Sequence, residues 1–167
     1  MVTIAASTLT PLPVREVLKD RVAVRLATIS TANGYTQDVT EVYRHHQHQL
    51  GIKHFPAITI LDRGDRETRL VQGIYEGRML LELRTIIEDF DRELRRQELA
   101  QLAADCARAI MSQELPGNVW GGLAVQTMIQ SADLHTSDVQ DPYGQVFLLV
   151  EIMYRVQQNN PYQQALI

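Results

Sequence analysis

The feature that most constrains this fold is one uninterrupted run of alternating residues near the end of the chain. Over residues 146–156, apolar residues occupy every second position: Val146, Leu148, Val150, Ile152, Tyr154 and Val156. Because successive side chains of a β-strand point to opposite faces of a sheet, this run predicts a strand with one fully apolar face. The other face is mixed, since it carries Phe147, Leu149, Glu151, Met153 and Arg155. We interpret such a strand as a central strand or as part of a subunit contact.

Two segments show the spacing of amphipathic helices. Apolar residues recur at helical intervals over residues 13–30, and the proline at the start suits the first turn of a helix. Gly34 follows and predicts a break, because glycine tolerates a left-handed backbone. Residues 91–112 predict the clearer helix, capped by Asp89 or Asp91, with a buried stripe made of Leu94, Leu99, Leu102, Ala103, Cys106 and Ile110.

The segment between these helices has the pattern of strands. Weak alternation predicts a strand over residues 39–44, and β-branched residues predict a stronger one over residues 56–62. We expect the polar DRGDRE at residues 62–67 to form a hairpin turn, from which residues 68–75 return as the next strand. Residues 78–88 fit either a strand or a helix, and we favour a strand.

The order of these elements predicts an α+β fold. We expect a mostly antiparallel sheet of about four to six strands, packed against an N-terminal helix and a long central helix. A further strand is expected over residues 124–131, after a glycine-containing loop. At 167 residues the chain is long enough for one domain with its own core. We therefore expect a single domain over residues 1–167, with flexible arms at residues 1–12 and 157–167.

Charge and cysteine content argue against several classes of protein. The chain has 16 basic and 20 acidic side chains and a net charge of -4, which disfavours a dedicated nucleic-acid binder. Its one cysteine, Cys106, predicts a reducing compartment, and neither a signal peptide nor a membrane-spanning run is visible. No charged residue lies before Arg15 or after Arg155. Neutral ends of this kind are candidates for contacts with other chains.

Most of the histidines lie in one stretch, YRHHQHQLGIKH at residues 43–54, which contains His45, His46, His48 and His54. Either helical or extended spacing places only two of them on one face, whereas a functional zinc site needs a third ligand. The sequence also lacks GxSxG, GxxxxGK[ST] and GxGxxG. We predict no enzyme activity, cofactor or metal, and interpret the stretch as a linker between strands. A pH-sensing contact and a histidine-linked metalloenzyme are the alternatives.

Several segments taken together resemble a known family. The N-terminal helix ends in ANGY (32–35), a strand begins in FPAITILD (55–62), and NVWGGLA (118–124) follows the long helix. The chain then continues with PYGQVFLLVEIMYR (142–155) and NPY (160–162). Over nearly the whole chain, this order of features resembles the tail terminator, or tail-completion, proteins of tailed bacteriophages.

The resemblance implies a structural virion protein that assembles as a hexameric ring on the end of the tail tube. Such a ring stops tube growth and presents the surface that joins the head-tail stopper or connector proteins, and the tail sheath is a further partner if the tail is contractile. Genomic DNA passes through the lumen without specific binding, which agrees with the net negative charge. The protein would be made in the host cytoplasm and reside in the neck of the virion, with no membrane partner. Another neck protein, a stopper or connector adaptor, is the nearest alternative.

Two polar segments are the candidates for contacts with the tube or with a neighbouring subunit. The first is the predicted hairpin tip, made of Asp62, Arg63, Gly64, Asp65 and Arg66. The second belongs to the predicted C-terminal arm and is made of Asn160, Pro161 and Tyr162. Turns and chain ends are accessible to partners, which is why we select them. The resemblance implies no catalytic residues.

Overall fold

The elements of the fold follow the predicted order of helix, strands, helix and strands. The computed structural model describes residues 12–45, 51–71, 73–112, 119–136, 142–158 and 160–164. Its helices are α1 (Val14–Leu26) and α2 (Arg92–Met111), with a short 3-10 helix at Thr31–Asn33. Its strands are β1 (Glu41–Tyr43), β2 (Ala57–Val71), β3 (Ile74–Glu88), β4 (Gln126–Thr136), β5 (Tyr143–Gln157) and β6 (Asn160–Gln164). The predicted α+β class is confirmed.

The strands form one sheet in the order β1-β2-β3-β5-β4, with β6 paired to β5. Only β1 and β2 are parallel, and the other pairings of the described strands are antiparallel, as the sequence predicts. β3 and β5 pair along their whole length, from Ile74 opposite Gln157 to Glu88 opposite Tyr143. The predicted central position of the last long strand is therefore confirmed, because β5 lies between β3 and β4.

The hydrophobic core lies between one face of this sheet and the two helices. Burial alternates strictly along β5, and its apolar stripe is buried. α1 and α2 contribute fully buried side chains to the same cluster: Leu18, Val22, Leu26, Leu99, Leu102 and Cys106. Burying a side chain of this kind stabilises the fold by roughly 1.5–3 kcal/mol before conformational entropy is subtracted. Of the described helices, none is long and apolar enough to cross a membrane.

The helix ends show where local sequence signals are right and wrong. Asp91 caps α2, because its carboxylate accepts hydrogen bonds from the backbone N–H groups of Glu93 at 2.9 Å and Leu94 at 3.1 Å. α1 ends at Leu26, four residues before the predicted end at residue 30. The predicted stripe of α2 is wrong at its first residue, since Leu94 is 47% exposed.

The predicted hairpin turn at DRGDRE is wrong. β2 continues without a break through residues 62–67, and the chain reverses between Val71 and Ile74, which pair with each other. Gly73, with a φ of 89°, lies in this turn. Gly64, with a φ of 117°, instead lies at a register shift within the strand. The glycine that suggested a turn is therefore part of a β-bulge.

Two further segments differ from the predicted pattern. Residues 68–71, expected to belong to a returning strand, complete β2 instead. Part of the predicted C-terminal arm forms β6, which pairs with β5 through Val156 opposite Gln164 and Gln157 opposite Asn160. Residues 160–164 are therefore held on the sheet rather than free. Arm residues 1–11, 159 and 165–167 lie outside the described residues.

Candidate protein-interaction surface

The β-bulge in β2 divides the predicted contact residues between the two faces of the sheet. Residues three apart in a regular strand point to opposite faces. The register shift next to Gly64 changes this, so that Asp62 and Asp65 both lie on the face covered by α1. Arg63 and Arg66 are exposed on the opposite face. One segment of sequence thus supplies two different surfaces.

The two aspartates attach α1 to the sheet. Asp62 accepts hydrogen bonds from Nη2 of Arg15 at 2.5 Å and from Nζ of Lys19 at 3.2 Å. Asp65 accepts a hydrogen bond from the phenol of Tyr154, and its Oδ2 lies 3.8 Å from Nε of Arg15. These side chains bind within the protomer. Asp62 and Asp65 therefore stabilise the packing of α1 on the sheet.

Replacing Asp62 by Asn should weaken the fold at neutral pH and remove part of its acid sensitivity. Burial raises the pKa of Asp62, but hydrogen bonds from Gly64 and Lys19 and the charges of Arg15 and Lys19 outweigh it, so the pKa lies below its usual 3.8. A carboxylate with a lowered folded pKa stabilises the protein above its unfolded pKa of about 3.9, and this contribution is lost as pH falls through the folded value. Urea unfolding at neutral pH and in acid measures the difference.

The matched control for this experiment is Glu67→Gln, since Glu67 is exposed on the same strand. We expect the control to follow the wild type at both pH values. The wild type and Asp62→Asn should differ at neutral pH and converge in acid. A constant gap between them at every pH would contradict the role assigned to the ionised carboxylate.

The face of the sheet opposite the helices is uncovered over its centre, as far as the described residues extend. We call this surface the open face. It carries half-buried or exposed side chains from three adjacent strands: Arg63, Arg66, Arg78, Leu80, Glu82, Arg84, Phe147, Leu149, Glu151, Met153 and Arg155. At one end it is covered by a small cluster formed by Ile52, Ala57 and Ile86 with Tyr43 and Phe55. Its centre combines charged and apolar side chains.

Ion pairs cross the open face between neighbouring strands. Arg63 contacts Glu82 at 2.6 Å, and Arg78 lies 3.8 Å from Glu151. The guanidinium of Arg84 lies 5.9 Å from the ring centre of Phe147, within the range of a cation–π interaction. Further contacts join Glu76 to the guanidinium groups of Arg78 at 3.3 Å and Arg155 at 3.6 Å. The open face therefore carries charges of both signs, and most of them are paired with each other.

A pocket lies at the centre of the open face. Its volume is about 330 Å³, and its lining combines Arg63, Arg66 and Arg78 with Asp65, Glu151 and Leu80. We call it the arginine pocket. Among the described residues, Arg66 has no ion-pair partner, and its side chain is exposed. The pocket therefore offers an available guanidinium beside an apolar leucine.

The C-terminal candidates Asn160, Pro161 and Tyr162 lie on β6. Pro161 lines a pocket together with Arg15, Asp65 and Tyr154. The structure thus brings one C-terminal candidate close to Asp65 of the first predicted segment. Tyr162 is 50% exposed and remains accessible to a partner.

Sequence reasoning missed the most exposed large hydrophobic residue of the described chain. Phe90 is 86% exposed in the connection between β3 and α2. Acidic residues surround it in the sequence EDFDRE: Glu88, Asp89, Asp91 and Glu93. Burial raises the pKa of Glu98, and the negative charge of Asp89 raises it further. An aromatic residue within an acidic segment could have indicated an exposed contact residue. The segment was interpreted only as the start of a helix.

The histidine stretch supplies no metal site in the described part of the chain. His45 and His54 are exposed, and the ring of His45 contacts the edge of Tyr43 at 6.3 Å between centres. Within the ranges that the structure describes, no group of three His, Cys, Asp or Glu side chains is placed to hold a metal. His46 and His48 lie outside those ranges. Cys106 is fully buried, and burial followed by the charge of Asp105 raises the pKa of its thiol.

Comparison with known proteins assigns no function to this surface. No protein-family model matches the chain, and a search of curated proteins finds no match. The features of the molecule that bear on function are the open face, the exposed Phe90 and the order of sequence features.

Proposed function

We propose that the protein is a structural virion subunit that caps the tail tube of a tailed bacteriophage as a hexameric ring. In this role it ends tube polymerisation and presents the surface that receives the head-tail stopper or connector proteins. The tail sheath is an additional partner if the tail is contractile, and genomic DNA passes through the lumen. The resemblance in sequence suggests this role. The structural observation that best supports this role is the open face.

The composition of the open face supports a subunit role. An antiparallel sheet that faces water on one side usually carries polar residues there. Here Leu80, Phe147, Leu149 and Met153 remain half-buried between the charged side chains of the uncovered face. Aromatic residues, methionine and arginine are enriched in protein interfaces. The face therefore has the character of a surface that another protein covers.

Closure of a ring on the tube would allow weak contacts to produce a stable assembly. Each protomer would meet two neighbours and the tube, so weak individual contacts act together once all are engaged. Free protomers are then monomeric or weakly associated, and the ring closes where the tube presents its end. The net charge of -4 limits binding of the passing DNA, because phosphate contacts need lysine and arginine.

Deletion of the gene from its phage tests the function. We expect electron microscopy to show overlong or unjoined tails beside filled heads, and a plasmid copy of the gene should restore tails of normal length. Purified protein added to polymerising tube protein should shorten the tubes and form six-fold rings at their ends. Tails of normal length that fail only to join heads would instead indicate a stopper or connector adaptor.

A further inference from the structure

We propose that Phe90 of one protomer inserts into the arginine pocket on the open face of the next protomer. The occupant of the pocket is thus a second copy of this chain. This inference rests on the proposed ring and specifies which residues close it. The contact is head-to-tail, since two different surfaces of the chain meet.

The first surface is a fixed loop that holds Phe90 outward. We call residues 88–91 the Phe90 knob. The backbone N–H of Asp89 donates to the carbonyl of Pro142 at 2.9 Å, and the backbone N–H of Asp91 donates to Oδ1 of Asp89 at 2.7 Å. Nη1 of Arg95 donates to the carbonyl of Asp89 at 3.1 Å. A loop held in this way loses little conformational freedom when it binds.

The second surface matches an aromatic side chain. The arginine pocket has a volume of about 330 Å³ and combines the apolar Leu80 with three guanidinium groups. A phenyl ring can pack on the leucine while a guanidinium covers its face, an arrangement stabilised by cation–π attraction. Inserting Phe90 would remove from water a side chain that is 86% exposed in the protomer.

The charges of the two surfaces are complementary. Glu88, Asp89 and Asp91 flank Phe90 in the sequence and give the knob a negative charge, although the carboxylates of Asp89 and Asp91 also accept backbone hydrogen bonds. On the other side, Arg63 and Arg78 are already paired with glutamates of their own protomer, whereas Arg66 has no ion pair within the described residues and supplies the available positive charge. Complementary charge steers association and fixes the register of an interface.

The positions of the two surfaces prevent a protomer from filling its own pocket. Arg78 and Glu88 lie on the same strand, β3, ten positions apart. At 3.3 Å per residue, they are separated by roughly 33 Å. A contact between the Phe90 knob of one protomer and the open face of the next repeats from copy to copy, and it closes into a ring when the rotation between copies allows it.

Cysteine cross-linking of the full-length chain tests this arrangement. In the presence of tube ends, a protomer that keeps Phe90 and carries both Glu88→Cys and Arg66→Cys should form, under mild oxidation, a ladder of disulfide-linked species that ends at the hexamer. A mixture of the two single variants should form dimers only. Cys106 is fully buried and does not compete. As a control, Val24→Cys combined with Arg66→Cys should give no ladder, although Val24 is 68% exposed.

Substitution tests the same contact without a cross-link. Phe90→Ala should weaken self-association by about tenfold or more, as expected for an anchoring aromatic residue, whereas Val24→Ala should leave it unchanged. Arg66→Glu should also weaken it, and adding Glu88→Arg should restore part of the loss. Lys53→Glu serves as the control for charge alone, since Lys53 is exposed and does not line the pocket.

The outcomes separate this inference from the proposed function. The Phe90 contact would be overturned if six-fold rings formed on tube ends without the cross-link and Phe90→Ala assembled as well as the wild type. That result would leave the capping role intact. Dimers formed by Glu88→Cys alone would also overturn the Phe90 contact, because the Phe90 knob would then meet its own copy. If the wild-type protein forms no ring on tube ends and leaves their length unchanged, the proposed function fails as well.

Discussion

Trp120→Ala should lower the free energy of unfolding by about 3–5 kcal/mol, the range for removing a buried tryptophan. Trp120 is 2% exposed, and its indole N–H donates to Oγ1 of Thr127 at 2.8 Å. The guanidinium of Arg21 also donates to its backbone carbonyl. This one residue therefore joins the loop before β4 to the core and to α1. Urea unfolding followed by far-ultraviolet circular dichroism measures the loss.

Trp120→Phe separates packing from hydrogen bonding at the same position. The phenyl ring retains most of the buried apolar surface but leaves Thr127 without the indole donor. We expect a cost of about 1–2 kcal/mol from this change. If the alanine variant is no less stable than the phenylalanine variant, the indole ring does not fill the core as the structure indicates.

Gly77→Ala should destabilise the protein by about 2–3 kcal/mol, because there is no space for a methyl group at this position. A Cβ on Gly77 would lie 2.7 Å from Cε1 and Oη of Tyr154. The ring of Tyr154 would have to move, and its phenol would lose the hydrogen bond that it donates to Asp65. Burial and this hydrogen bond raise the pKa of Tyr154, so the phenol stays protonated as the donor. Thermal and urea unfolding both measure the effect.

A double-mutant cycle identifies the cause of that loss. In a Tyr154→Ala background, Gly77→Ala should cost far less, since the clashing ring is gone. In a Tyr154→Phe background it should remain costly, because the ring is retained and only the hydroxyl is removed. Equal costs in all three backgrounds would show that the glycine matters for its backbone and not for the space it leaves.

The long periodic elements could be predicted from the sequence because burial repeats along them. The alternation that defines β5 and the stripe that defines α2 each extend over many residues, so local exceptions such as Leu94 do not change the assignment. The DRGDRE segment was misinterpreted as a turn because its polar side chains have partners that are distant in the sequence. Asp62 binds Arg15, which is 47 positions away, and this partner is invisible in a local window.

The candidate surface was predicted only in part. Arg63 and Arg66 were selected as members of an exposed turn, but the structure places them on the open face of a continuous strand. Their contact with another chain stays a prediction. Phe90 was missed, since exposure depends on which residues pack over a position, and sequence alone does not give that. The face taken by Asp65 depends on the bulge at Gly64, a one-residue shift in register.

The position of β5 has a consequence for how the protein is made. This strand lies between β3 and β4, yet both of those strands leave the ribosome before it. Until β5 is synthesised, β3 and β4 each keep an unpaired edge, which is a site of aggregation. The arginine pocket also needs Glu151 of β5 beside Arg78 of β3. An incomplete chain therefore lacks this pocket, and only protomers whose synthesis has passed β5 could form the contact that we propose.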